Sequence, residues 1–253
     1  MGTVLNRMLY IYRVAAKLFC FILFGFGTLI LIIFVFPCMS FFIKPKERFQ
    51  RDGRRTVSAT WHFFCTVMKI VKVTDIKVDN PAAYKNLRSK IIVANHPSLL
   101  DVVIIISLIP NANCIVNGAL LKNIVGGVVR RLYISNTLDF ETLCDECNKT
   151  LNEGNCLVIF PEGSRTPREG YLPLKRDAAR LSILTGKPII PIHIGGNDKY
   201  GLGKHEPLIS FNRTEKYIYT IEVKEEISPQ LYAGLPASLA ARRITGDIEK
   251  AIF

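Results

Sequence analysis

Hydrophobic and polar positions fall into three regimes along the chain. From Leu18 to Phe36 almost every position is apolar, and no charged residue stands between Leu18 and Ile43. Such a stretch has no polar face and predicts a helix long enough to enter or cross a hydrocarbon core of roughly 30 Å. From about Thr56 to Val73 the pattern turns periodic, with Val57, Trp61, Phe64, Met68 and Val71 at three- and four-residue spacing, which predicts an amphipathic helix. Two placements for it stay open: folded back against the first helix with Trp61 at the headgroup level, or with its stripe packed on the domain that follows. From Lys90 onward, short apolar runs alternate with helical candidates. The runs at 91–94, 114–117, 132–135, 156–160 and 188–194 read as strands, and 97–108, 119–129, 139–153 and 174–185 as helices, with Gly154 and Gly186 at C-cap positions. Near-continuous apolar strands between helices predict an α/β fold whose mainly parallel sheet is flanked by helices on both faces. The segment 217–223 alternates more strongly and reads as an added edge or antiparallel strand. The division expected is a membrane-associated helical hairpin over 1–73 and an α/β domain over 74–253.

Charge sharpens the first regime. The formal net charge is +12, and residues 1–55 alone hold nine Lys/Arg against two acids. The basic excess therefore brackets the apolar segment, as expected for a membrane contact and not for a nucleic-acid face, so no nucleic-acid partner is expected. The apolar run exceeds the core of a cleavable signal peptide and leads into Pro37 and Lys44 with no small-residue cleavage site. Six Lys/Arg between Lys44 and Arg55 follow it, against three before it, which by the positive-inside rule places the α/β domain on the cytoplasmic face of the membrane. Seven scattered cysteines fit a reducing compartment, and Cys144-x-x-Cys147 lacks the second pair that a zinc site needs.

Two polar segments sit where strands end, the place at which open α/β sheets bind ligands. The first is Asn95-His96-Pro97-Ser98-Leu99-Leu100-Asp101. His96 and Asp101 would not share a face of one regular helix, but they meet if His96 stands off the helix end and Asp101 reaches back. A carboxylate on one imidazole nitrogen fixes the tautomer and leaves the other nitrogen as a base. Alone, the pair reads equally as a capping histidine and an N-terminal aspartate. The second segment is Pro161-Glu162-Gly163-Ser164-Arg165-Thr166, where Gly163 permits close backbone approach, Arg165 offers a planar donor fork and Glu162 stands ready to orient it. No G-x-S-x-G elbow exists, Ser98 and Ser164 read as turn hydrogen-bonders, and His193 in an apolar strand reads as a satisfied core histidine. His62, His193 and His205 show no ligand spacing, so no metal is expected.

Taken together, NHPSLLD, FPEGSRT and PIIPIHI, in this order and spacing, resemble the phosphate-lipid acyltransferases related to 1-acylglycerol-3-phosphate acyltransferase, over roughly residues 60–225. The resemblance implies that His96 is the general base and Asp101 its orienter. It also implies that Glu162, Gly163, Ser164, Arg165 and Thr166 belong to the substrate-binding loop, and that a membrane-dipping helical pair precedes the domain. Two departures touch the acceptor side. The Ile-Asp-Arg-like strand end of members that take a glycerol phosphate is Tyr133-Ile134-Ser135-Asn136 here, with Arg130 and Arg131 just before it, and the Lys-x-Gly after the second loop is Lys175-Arg176-Asp177.

The implied reaction moves a fatty acyl group from a thioester, acyl-CoA or acyl carrier protein, to the hydroxyl of a lysophospholipid, with 1-acyl-glycerol-3-phosphate as the leading acceptor. It needs no bound cofactor, and its partners are membrane lipid, the lysophospholipid acceptor and the acyl donor. Another lyso-lipid acceptor, or a donor-independent transacylase or hydrolase built on the same dyad, remain alternatives.

Overall fold

The computed structural model describes residues 2–123, 125–169 and 172–253. The chain opens with helix α1 (Gly2–Ile30), which runs through a π-helical turn (Leu31–Val35) into α2 (Phe36–Phe42). Pro37 explains the turn: it has no N–H to donate, and its ring crowds the carbonyl one turn back. A wider turn, in which Phe36 N–H bonds Leu31 O, lets the helix continue past the proline. Within this run, Val4–Phe42 is long and apolar enough to cross a membrane.

Helix α3 (Lys46–Ile70) folds back antiparallel to α1 and α2. Tyr12 donates to Val71 O at 3.1 Å, the Phe24 ring lies 6.2 Å from Trp61 and 5.3 Å from Phe64, and Phe36 lies 6.1 Å from Phe49. The same helix buries Val57, Phe64, Cys65 and Met68 in the core that covers one face of the sheet. α3 thus packs both against α1 and on the domain, sandwiched between the two.

The α/β part follows as β1 (Thr74–Val78), α4 (Pro81–Asn86), β2 (Ile91–Ala94), α5 (Asp101–Leu108), β3 (Ala112–Val116), α6 (Gly126–Leu132), β4 (Ile134–Ser135), α7 (Phe140–Asn152), β5 (Cys156–Ile159), α8 (Asp177–Thr185), β6 (Ile189–Gly196), β7 (Tyr217–Val223) and α9 (Ala237–Ile252). The seven strands lie in the order β1-β7-β6-β2-β5-β3-β4. Five run parallel; β7 is antiparallel to β6 and parallel to β1, so the last two strands on that side point the other way. Segment 217–223 is therefore antiparallel but not at the edge, which β1 occupies. Residues of β2 explain why its run reads as continuously apolar: Ile92 and Ala94 face the core under α3 and α5, while Ile91 and Val93 face the core under α7, α8 and α9.

Some element ends differ from expectation. The helix expected over 97–108 begins only at Asp101, because Ser98 and Asp101 close residues 96–100 into a turn. The helix expected over 119–129 is split into a 3-10 turn (Gly118–Lys122) and α6. The break is enforced by packing of backbone on backbone, since a Cβ at Gly126 would collide with Leu121 O. Of the strand expected over 132–135 only Ile134 and Ser135 pair, Leu132 being the last residue of α6.

Candidate active site

Parallel pairing of β2 with β5 sets Val93 opposite Ile159, so the two polar segments leave the sheet side by side at the strands' carboxyl ends. Asn95 fixes the first as it leaves. Its side-chain amide donates to Ile194 O (2.9 Å) and accepts from Ile194 N (2.7 Å), as a strand neighbour's backbone would. The imidazole of His96 stacks on Phe160 with ring centroids 4.4 Å apart.

His96 Nδ1 lies 2.8 Å from Asp101 Oδ2, with the Asp101 side chain fully buried and that of His96 17% exposed. Every acceptor position of the carboxylate that the turn can reach is used. Ser98 N–H donates to Oδ2 and Ser98 Oγ to Oδ1, both at 2.6 Å. Because the Ser98 proton goes to Asp101, Tyr219 is the donor in its 2.8 Å contact with Ser98 Oγ. Burial, and then the Asp101 charge, push the Tyr219 phenol well above its usual range, which keeps that proton in place. Lys199 Nζ sits 4.7 Å over the Tyr219 ring and donates to the carbonyls of Gly195 and Asn197. Its pKa is lowered to about 8 by burial, with Asp101 opposing the shift. With Asp101 accepting at Nδ1, the proton resides there and Nε2 carries the lone pair.

The second segment zips onto the first. His96 N–H donates to Glu162 Oε1 (2.8 Å), Thr166 Oγ1 donates to the same oxygen (2.8 Å), and Thr166 N–H donates to His96 O (2.7 Å). Glu162 thus orients the backbone of His96, not Arg165 as its sequence position suggests. Its other oxygen, Oε2, is buried without a hydrogen-bond partner among the described residues, and burial pushes the carboxyl up. Gly163 turns the loop at φ +68°, where a side chain would be strained, and a Cβ there would also lie 2.9 Å from Lys175 Nζ. Lys175 N–H bonds Pro161 O at 2.9 Å, which lays its exposed side chain across Gly163. Ser98 is a turn hydrogen-bonder as expected, whereas Ser164 is half-buried with no such bond among the described residues.

Arg165 is placed differently from a free anion fork. Its Nη1 donates to Leu202 O (2.9 Å) and Gly203 O (2.7 Å), so half of the guanidinium holds the loop between β6 and β7. At the departure from the family pattern, Asn136 Oδ1 accepts from Gly118 N–H, and Arg130 and Arg131 donate to Leu121 O and Gly127 O. Arg131 thus braces its own helix, and Arg130 ties that helix to the 3-10 turn before it. Cys144 and Cys147 are residues of α7, and His193 Nδ1 meets Ile252 O at 2.8 Å.

Sequence reasoning passed over Lys199 and Tyr219. Tyr219 was visible only as one inward position of an alternating strand, and Lys199 reaches Tyr219 through a loop that carries no motif.

A family model described as Acyltransferase matches residues 75–195. The protein acl-2 of Caenorhabditis elegans is 30% identical over 114 residues, 40% of this chain and 39% of that protein. Human 1-acyl-sn-glycerol-3-phosphate acyltransferase beta is 23% identical over 199 residues, 74% of this chain and 66% of that protein. The chain thus spans between two fifths and two thirds of the length of these curated relatives. The crystal structure of the 1-acyl-sn-glycerophosphate (LPA) acyltransferase PlsC from Thermotoga maritima superposes with a TM-score of 0.67 at 20% identity, over 99% of this chain and 96% of that one, and shares the fold. Residues 75–195, which hold both polar segments and the strand that follows them, match the acyltransferase family model.

Proposed function

We propose that this protein transfers a fatty acyl group from an acyl thioester to the hydroxyl of a lysophospholipid, with 1-acyl-glycerol-3-phosphate as acceptor and phosphatidate as product. The observation that carries the reading is the 2.8 Å contact of His96 Nδ1 with a fully buried carboxylate, which leaves Nε2 as the accessible base. In the reaction, Nε2 takes the acceptor's hydroxyl proton as the oxygen attacks the thioester carbonyl. The tetrahedral intermediate then collapses, the C–S bond breaks, and His96 returns its proton to the departing thiolate. General base help of this kind contributes about 10²–10⁴ in rate. Donors for the oxyanion are the backbone N–H groups of Ser164 and Arg165, which have no internal partner among the described residues. The anionic group of the acceptor meets Lys175 and the remaining N–H groups of Arg165. The curated relatives' names supply the acceptor. The test is a panel of lyso-acceptors with acyl-CoA and acyl carrier protein thioesters, read by mass spectrometry of the lipids formed. Release of free fatty acid alone would favour the hydrolase reading.

The protein works at a membrane, on its cytoplasmic face, through the α1–α3 hairpin. From Tyr10 to Met39 one side of α1 and α2 packs on the protein, while Ile22, Phe26, Ile33, Phe34, Phe41 and Phe42 point away from it. Because α1 and α2 are tied along one side to the domain over a length of about 58 Å at helical rise, they lie in one leaflet as an amphipathic anchor. A cysteine placed near residue 2 should be labelled from the cytoplasmic side of sealed vesicles only. Labelling from the opposite side would demand a crossing.

A further inference from the structure

Three cations stand on the first helix. Arg7 is exposed and Arg13 half-buried, as expected of basic residues that flank an apolar run, but Lys17 is only 2% exposed. Burying an ammonium is costly unless it is fully hydrogen-bonded. A lysine meant only for headgroups would extend outward on its flexible stem. Lys17 instead enters the loop 197–216 between β6 and β7, where Nζ donates to Gly201 O at 3.3 Å and to Ser210 O. The loop is shaped around it. Gly201 has φ +89°, and a Cβ there would lie 2.8 Å from Lys17 Nζ.

The residues next to Gly201 hold both polar segments. Leu202 O accepts from Leu99 N–H (3.0 Å), in the middle of the turn that joins His96 to Asp101, and from Arg165 Nη1 (2.9 Å). Gly203 O accepts from Arg165 Nη1 at 2.7 Å. Glu206 ties the strap from inside, its Oε2 accepting from Gly201 N–H and Gly203 N–H at 2.7 Å each. A continuous path therefore runs from the N-terminal helix to the site: Lys17, Gly201, Leu202, then Leu99 on one side and Arg165 on the other.

We propose that Lys17 is a positioning residue: by fixing Gly201 and Ser210 it sets the 201–203 strap, and through Leu99 and Arg165 the strap sets the His96–Asp101 turn against the 161–166 loop. The N-terminal helix is then part of the site's scaffold in addition to being its anchor. The catalytic consequence rests on the acyl-transfer reading; the structural one does not.

The test compares full-length wild type with Lys17→Met, which keeps length and removes the donor. Vesicle binding should be unchanged. On a short-chain acceptor that stays monomeric in solution, where anchoring gives no advantage, kcat should fall roughly tenfold to a hundredfold, as for sub-ångström to ångström misplacement of reacting groups. Amide hydrogen exchange at Leu99, Gly201 and Gly203 should quicken whether or not any acceptor is turned over, so failure of the strap and failure of the acyl-transfer reading are read separately. Glu206→Gln, which weakens the strap from the loop side and leaves the helix sequence intact, should give the same exchange pattern. The double variant should lose less than the product of the single losses. Wild-type kcat on the soluble acceptor, or unchanged exchange at these three amides, would overturn the proposal. So would a loss confined to vesicle-bound substrate, which makes Lys17 an anchor residue alone.

Discussion

The two loops that meet at the carboxyl ends of β2 and β5 are held in opposite ways. In the His96–Asp101 turn the polar groups that hold the imidazole have their partners and only Nε2 is left free: Nδ1 on Asp101, both carboxylate oxygens filled, Ser98 backed by Tyr219, and Asn95 locked to β6. In and beside the Pro161–Thr166 loop several groups have no partner among the described residues: Glu162 Oε2 and the Ser164 hydroxyl in the loop, and the Lys175 ammonium that lies over Gly163. A base must be aimed before the reaction begins, and a fully satisfied buried network gives it one orientation. A loop that exchanges ligands needs donors and acceptors to offer them. On the acyl-transfer reading proposed above, the fold separates a preformed base from an unsaturated binding edge, and joins them through Glu162 Oε1, Thr166 and Arg165.

The largest effect should come from breaking the closed side. His96→Ala should lower kcat about 10²–10⁴-fold, with the unfolding midpoint in urea falling less than for loss of the carboxylate, because the ring is partly exposed and Asp101 keeps both bonds from Ser98. Asp101→Asn should be comparably severe in kcat and also destabilising, since an amide cannot accept all three bonds now made to the carboxylate. Steady-state kinetics in detergent micelles, paired with urea unfolding, would check both. Retained turnover in the histidine variant removes the base from His96.

The next test separates the open edge from the joint. Lys175→Met should raise the KM for a phosphate-bearing lyso-lipid about tenfold, the scale of one charge-assisted hydrogen bond, and leave the KM for the thioester unchanged. Arg165→Lys should behave differently. A single ammonium does not reproduce the donor geometry now used on Leu202 O and Gly203 O, so kcat should fall for every acceptor, with the acceptor KM rising as well. If both variants affect only the acceptor KM, Arg165 belongs wholly to the binding edge and its hold on the 201–203 strap is idle.

The asymmetry between the loops also decides what could be read from sequence. The α/β architecture was legible because buried parallel strands such as IIVA are apolar on both faces, and two of the helices end at glycines with positive φ, Gly154 and Gly186. The meeting of His96 with Asp101 was legible as a steric option, since Pro97 keeps His96 off the helix. Long-range partners were not. Tyr219, Lys199 and the strap at Leu202 lie about 100 residues or more beyond the turn they support, and no local period marks them. The edge strand β1 escaped because TDIKV carries Asp75 and Lys77 on its exposed side, and α9 because its half-polar stripe carries no motif. Arg165 reads as an anion fork by composition alone, and only the fold shows that one of its nitrogens is already engaged.

The smallest expected effect probes the open edge directly, through the orphaned oxygen of Glu162. Burial is the main cause of the raised carboxyl, opposed by the bonds from Thr166 and His96. The folded value therefore lies above the unfolded one, ordinarily 4.5, and the fold favours the neutral acid. Its contribution to stability is complete below the unfolded value and is lost as pH rises through the folded one. Glu162→Gln keeps the acceptor for His96 N–H and Thr166 Oγ1 but never ionises, so it should remove this loss. Urea midpoints measured from pH 4 to pH 7.5 should show wild type falling relative to the glutamine variant as pH rises, with the difference shrinking when a bound lyso-lipid donates its free hydroxyl to Oε2. Parallel pH profiles for the two proteins would mean that Oε2 is already satisfied in solution, and the loop would then be closed like its neighbour.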